Sequence, residues 1–96
     1  MLVEADADLE LASSKVATHA FSFAGQTCVS VQRVYVRREV FDDFAAKLLP
    51  KVDALKAGDP SEDEIDVGPL IDRSNHDRVL EWIDEAKAGG ATVLSG

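Results

Sequence analysis

A single cysteine, Cys28, stands in the stretch FSFAGQTC (Phe21 to Cys28), just past Gly25 and Gln26. A lone thiol has two uses: it can fill a small apolar gap in a core, or it can attack an electrophilic carbon as the thiolate. The second use needs an accessible sulfur and a hydrogen-bond donor aimed where negative charge develops. A cysteine that opens the segment after a helix meets both needs, because it lies outside any regular ladder and its backbone N–H is free to face a ligand. Gly25 adds a position without a side chain near that turn. Taken alone, the spacing leaves both uses open.

The other residues capable of chemistry read better as structure. His19 and His76 lie far apart with no cysteine or carboxylate at ligand spacing, which argues against a metal site. The acidic run Asp59, Glu62, Asp63, Glu64 and Asp66 fails as a calcium loop, because Glu64 occupies the position that requires glycine. It reads as a solvated loop. Trp82 and Phe41 read as core or partner-facing anchors, and Arg33 as a residue that orders its strand.

The chain around these residues has an ordinary globular composition, 46% hydrophobic and 29% charged over 96 residues. Its 18 acidic against 10 basic residues give a net charge of -8, which repels phosphate backbones and anionic lipid. Nucleic acid is therefore not an expected partner. No run of about 18 apolar residues offers a membrane span, and no charged segment followed by an apolar stretch resembles a secretory signal. With one cysteine and no internal disulfide, a reducing cytoplasm is the expected compartment. Leu2 and Val3 look like the end of a strand whose beginning is missing, so the chain reads as a fragment.

Helices and strands alternate. Leu9, Ala12, Val16, Ala20 and Phe23 recur at spacings of three and four, which predicts one helix face, with Asp6 or Asp8 as the cap and Gly25 as the stop. VQRVYVR (Val31 to Arg37) alternates with the β-branched content of a strand. Val40, Phe44, Leu48, Val52 and Leu55 form a second apolar stripe, closed by Gly58-Asp59-Pro60. Pro50 lies inside that stripe and predicts a kink or break near Ala46 to Pro50. Asp72 is placed to cap a third helix carrying Val79, Leu80, Ile83 and Ala86, stopped by Gly89-Gly90, and ATVL beyond it reads as a short strand. This alternation predicts an α/β fold of parallel-sheet crossover units, without a linker or repeat.

With these elements placed, FAGQTCVSVQRVYV (Phe23 to Val36) resembles the catalytic-cysteine segment of the aldehyde dehydrogenase superfamily: an apolar residue, then Gly-Gln-x-Cys, small residues and an Arg-bearing strand. VEADADLELA before it, VFDDFAAKLLPKVDALKAGDP after it, and DVGPLID with GGATVLSG are similar to the family's flanking segments in the same order. The resemblance runs collinearly over nearly the whole chain. It covers about a fifth of a family subunit, which spans roughly three domains' worth of sequence. Residues 1–96 are accordingly expected to be part of the catalytic domain, with the cofactor-binding domain outside them.

The resemblance implies that Cys28 is the nucleophile and that its backbone N–H is one donor to the oxyanion. In such enzymes the thiolate attacks an aldehyde, hydride passes to NAD or NADP, and the resulting thioester is hydrolysed. Gln26 and Thr27 would shape the approach, and Phe23 or Thr27 would line the substrate tunnel. The family's general-base glutamate, its oxyanion asparagine side chain and its cofactor-gripping residues have no counterpart here, so no cofactor is expected on this chain and isolated activity is not expected. Pro50 departs from the family's uninterrupted helix. A small aldehyde is the implied substrate and a homo-oligomer the implied assembly. The alternative from another class is a truncated interaction or thiol-redox module without catalysis.

Overall fold

A computed structural model describes all 96 residues. Two short strands, β1 (Leu2–Val3) and β2 (Tyr35–Val36), lie parallel, with Leu2 opposite Tyr35 and Val3 opposite Val36. The ladder continues through Tyr35 N–H to Met1 O at 2.9 Å and Arg37 N–H to Val3 O at 3.0 Å. Helix α1 (Leu9–Phe21) makes the crossover between them, so the chain opens with a β-α-β unit. The α/β expectation holds.

Asp8, rather than Asp6, caps α1: its carboxylate accepts the Leu11 N–H at 2.9 Å. Leu9, Ala12, Val16 and Ala20 turn inward as their spacing predicts, and Val16 joins Val3 and Phe44 as the buried centre of the core. Ser13 is fully buried on the same helix, with its hydroxyl donating to Glu10 O at 3.0 Å. That bond satisfies a polar group that would otherwise be costly to bury.

Phe23 departs from the expected helix face. The α-helix ends at Phe21, and Phe23 lies beyond it in a tight turn, 76% exposed and with φ of 53°. The chain turns left-handed there, so the i, i+3 projection that put Phe23 on the α1 stripe no longer applies.

The seven-residue strand expected over Val31 to Arg37 is reduced to Tyr35–Val36. A strand extends only as far as it finds a partner edge, and β1 offers two residues. Val34 and Val36 face the core while Tyr35 points out, so the alternation holds near the short ladder; Val31, expected on the Tyr35 face, packs against the core as well, so the period of two does not extend back to it. ATVL forms no strand: Ala91 to Leu94 lie in neither helix nor strand, for the same want of a partner edge.

Helix α2 (Phe41–Asp53) runs unbroken through Pro50. Of the expected kink or break, the break is absent: Pro50 forfeits its one bond to Ala46 O, and the helix continues three residues past it to Asp53. Asp42 and Asp43 in the first turn complement the helix dipole in the absence of a side-chain cap. The stop at Gly58-Asp59-Pro60 comes later than the helix end. Residues 56–58 leave α2 and bond instead to residues 66–67, with Gly58 N–H to Val67 O and Val67 N–H to Lys56 O both at 3.1 Å. The acidic run between them is a closed surface loop in which Asp59 accepts from the Ser61 N–H and hydroxyl.

Asp72 caps α3 (Arg73–Ala88) as expected, accepting the Asn75 N–H at 2.8 Å. Gly90, with φ of 96°, ends it in a Schellman arrangement: Ala91 N–H reaches Ala86 O and Gly90 N–H reaches Lys87 O. No residue of α3 is buried, and Leu80, Trp82 and Ile83 remain exposed. Only 5 of 96 residues are buried in all, and the radius of gyration is 14.4 Å against about 12.5 Å for a compact domain of this length. The apolar stripes of this sequence exceed what the chain covers by itself.

Candidate functional site

Cys28 sits in the connection between α1 and β2, and the local sequence explains how the chain gets there. Ser22 closes α1, its hydroxyl donating to Thr18 O. Phe23, Ala24 and Gly25 follow with φ of 53°, 55° and 73°, and Gln26 N–H returns to Phe23 O at 3.1 Å. A turn with positive φ at both central residues, here Ala24 and Gly25, is the type I′ pattern. Glycine adopts it freely, whereas Phe23 and Ala24 each do so at a cost of about 1–2 kcal/mol. Such strain persists only where the surroundings over-determine it.

A second turn follows at once, Thr27 to Ser30, closed by Ser30 N–H to Thr27 O at 3.2 Å. Cys28 and Val29 are its central residues. The Cys28 side chain is exposed, and the Cys28 N–H makes no backbone hydrogen bond. The structure thus provides the two features that sequence position suggested, a reachable sulfur and an unengaged amide on the same residue.

Two glutamines hold this double turn. Gln32 Nε2 donates to Gly25 O at 3.3 Å and to Ser30 Oγ at 2.8 Å, and Ser30 Oγ donates on to Ala20 O at 3.3 Å. Gln26 reaches the other way. Its Oε1 accepts the Ile71 N–H at 2.9 Å, while its Nε2 donates to Phe23 O at 3.0 Å and lies 3.4 Å from Pro69 O. The sequence pointed to Gln26 only as a neighbour of the thiol. Its tie to the Pro69–Ile71 segment had no local signal, because periodicity and turn chemistry do not report contacts across 45 positions.

A cavity of about 470 Å³ lies between the two segments, lined by Phe23 and Gln26 on one side and by Pro60, Ile65, Asp66 and Pro69 on the other. Cys28 and Thr27 line none of the cavities. The cavities beside the loop of residues 57–69 carry aspartates and no lysine or arginine. Dinucleotide phosphates would meet an aspartate in each of these three cavities, which do not fit such a cofactor; the fourth, lined by Val34, Tyr35, Val36, Arg38 and Phe41, carries a single arginine.

The remaining candidates fall out as structure. His19 is exposed, and His76 pairs through Nδ1 with Asp77 at 3.0 Å. No group of three histidine, cysteine or acidic side chains is placed to hold a metal ion. Asp77 is held below the ordinary aspartate range by the bond from His76 and then by Arg73. Phe41 and Trp82 are both exposed, and the Arg78 guanidinium lies 5.2 Å from the Trp82 ring centre. The Arg33 side chain is exposed, and its carbonyl accepts the terminal ammonium of Met1 at 2.7 Å. No helix is long and apolar enough to cross a membrane.

Comparison with known proteins agrees with this architecture. The profile of the Aldehyde dehydrogenase family matches residues 1–96. The chain is 41% identical over 95 residues to 3-sulfolactaldehyde dehydrogenase of Priestia megaterium, covering 99% of this chain and 20% of that one. The NADP-dependent glyceraldehyde-3-phosphate dehydrogenase of Bacillus halodurans, solved with NADP, superposes with a TM-score of 0.91 at 38% identity, covering 99% of this chain and 20% of that one. Betaine aldehyde dehydrogenase of Staphylococcus aureus, solved with NAD+, gives 0.93 at 30% identity over 99% and 19%. The chain belongs to the aldehyde dehydrogenase family, and it spans about a fifth of the length of the relatives it matches.

Proposed function

We propose that these 96 residues form part of the catalytic domain of an NAD- or NADP-dependent aldehyde dehydrogenase, with Cys28 as the nucleophile. The observation that carries this reading is the Cys28 turn: an exposed thiol and a free backbone N–H on one residue, set on a strained and doubly clamped connection. The thiolate adds to the aldehyde carbon, and the carbonyl π pair moves to oxygen, where the Cys28 N–H stands as a donor. A nicotinamide cofactor, held by parts of the protein outside these residues, supplies the hydride acceptor when bound. Loss of hydride leaves the acyl group on sulfur as a thioester, which water hydrolyses to the carboxylic acid with return of the thiol.

In this reading Phe23 or Thr27 lines the substrate tunnel and the rest of the protein completes it, since no cavity of this chain includes Cys28. The assembled protein is a homo-oligomer. The test is Cys28→Ala in the full-length protein. Aldehyde oxidation and ester hydrolysis are both abolished if they share one acyl-thiol intermediate, and mass spectrometry of the wild type finds acyl groups on the Cys28 peptide. Loss of only a few fold places the nucleophile elsewhere.

A further inference from the structure

We propose that Gln26 is a positioning residue for Cys28, setting the sulfur's place by tying its turn to the Pro69–Ile71 segment. The inference rests on the reading of Cys28 as nucleophile.

The type I′ turn that delivers Cys28 contains two non-glycine residues at positive φ, Phe23 and Ala24. A backbone in that region relaxes unless it is held. Gln32 and Ser30 hold it from within, bonding only to α1 and to the connection itself. Gln26 alone among the side chains of this connection bonds to a distant segment. Its amide uses both ends: Oε1 takes the Ile71 N–H, and Nε2 gives to Phe23 O and, more loosely, to Pro69 O. Phe23 O therefore receives both the Gln26 backbone N–H and the Gln26 side chain.

This pattern needs a carboxamide. Methionine has nearly the same length and flexibility but neither donates nor accepts comparably. Ionised glutamate still accepts from Ile71 N–H but turns negative oxygen toward two carbonyls. Protonated glutamate can accept and donate as the amide does. The three side chains fill similar volumes, so their differences report hydrogen bonding rather than packing. A loop freed from Pro69–Ile71 leaves the thiol present and accessible but displaced, and a displacement of about 1 Å from the productive geometry is enough for about 10²-fold in rate.

The experiment uses the full-length protein with Gln26→Met, Gln26→Glu and, as control, Cys28→Ala. Steady-state kcat and the KM for aldehyde and for cofactor are measured, together with the rate of Cys28 alkylation by iodoacetamide. Gln26→Met is expected to lower kcat by about 10- to 100-fold while leaving the cofactor KM within about twofold and the thiol still alkylated at no less than the wild-type rate. The activity of Gln26→Glu relative to wild type is expected to rise as pH is lowered from about 8 to about 6, toward protonation of the new carboxyl, whereas the relative activity of Gln26→Met stays flat. A Gln26→Met enzyme with kcat within about twofold of wild type overturns the proposal, as does a loss shared equally by kcat and cofactor affinity, or failure of both variants to fold, which would make Gln26 a stability residue. Full activity in Cys28→Ala overturns the nucleophile reading and this proposal with it; inactive Cys28→Ala with active Gln26→Met overturns only the role of Gln26.

Discussion

Glu10 of α1 and Lys51 of α2 meet at 2.6 Å, and Lys47, one turn earlier on α2, reaches the same carboxylate at 3.5 Å. The pairing lies at the rim of the interface whose centre is Val16 and Phe44. Lys51 holds the Glu10 carboxyl below its ordinary value of 4.5, chiefly by the hydrogen bond and then by its charge. Asp72 is held below 3.8 by the Asn75 N–H first and by the Ser74 hydroxyl next.

These depressions fix the sign of an acid response. A carboxylate whose folded-state pKa is lowered adds stability above its unfolded value and loses that contribution as pH falls through the folded one. Helix content of the chain, followed by far-UV circular dichroism, should therefore hold from neutral pH down to about 4.5 and decline below it. Because the Glu10 pair is exposed, the step should be small and should shrink with added salt. A loss of helix already complete at about pH 6 would contradict this account.

Phe44 is 3% exposed and touches the other centre residues of a core with only four buried apolar side chains. Phe44→Ala should cost about 3–5 kcal/mol. With so little core elsewhere, that is enough to unfold the isolated chain in buffer. Urea titration by circular dichroism should show no folded baseline for the variant, and a cooperative transition shifted by less than about 1 kcal/mol would show that the core lies elsewhere.

Exposure of Cys28, with Phe23 and Val29 each 76% exposed beside it, predicts the behaviour of the thiol in the chain by itself. A thiol-specific disulfide reagent should modify the native chain nearly as fast as the urea-denatured one. The open apolar surface on α3 and around Phe23 should make the chain dimeric or larger in light scattering. Slow modification that accelerates only on global unfolding, in a monodisperse monomer, would support a buried inert thiol.

The same structure predicts what the chain cannot do by itself. No cavity includes Cys28, and the cavities beside residues 57–69 are lined by aspartate with no lysine or arginine. Incubated with NAD or NADP and a range of aldehydes, the purified 96 residues should give no absorbance of reduced cofactor above the buffer rate. Measurable turnover would mean that the catalytic groups assigned to the rest of the protein are present here.

The sequence by itself determined that three helices form and that Asp72 caps the third, while it left Asp6 and Asp8 both open as the cap of α1. Asp8 and Asp72 accept from the third residue on because a short carboxylate at that position meets an orphan N–H, a relation of spacing alone. Gly90 ends α3 for an equally local reason, and the spacing of Leu9, Ala12, Val16 and Ala20 was enough to choose the buried face. For Cys28, the only thiol, spacing alone left both a core and a nucleophilic use open, and the nucleophilic role came from the resemblance of Gly-Gln-x-Cys to a known family segment. Tertiary structure decided what depends on a partner. Tyr35–Val36 is a strand because β1 lies beside it, while Val31 to Arg33 and Ala91 to Leu94 have the composition of strands and no edge to pair with. Phe23 left the α1 face because the chain turned left-handed after Phe21, a conformation held by carbonyl partners brought in from Ala20, Gly25 and Pro69. The role of Gln26 was hidden for the same reason: a hydrogen bond to Ile71 exists only once two segments 45 positions apart have been folded together.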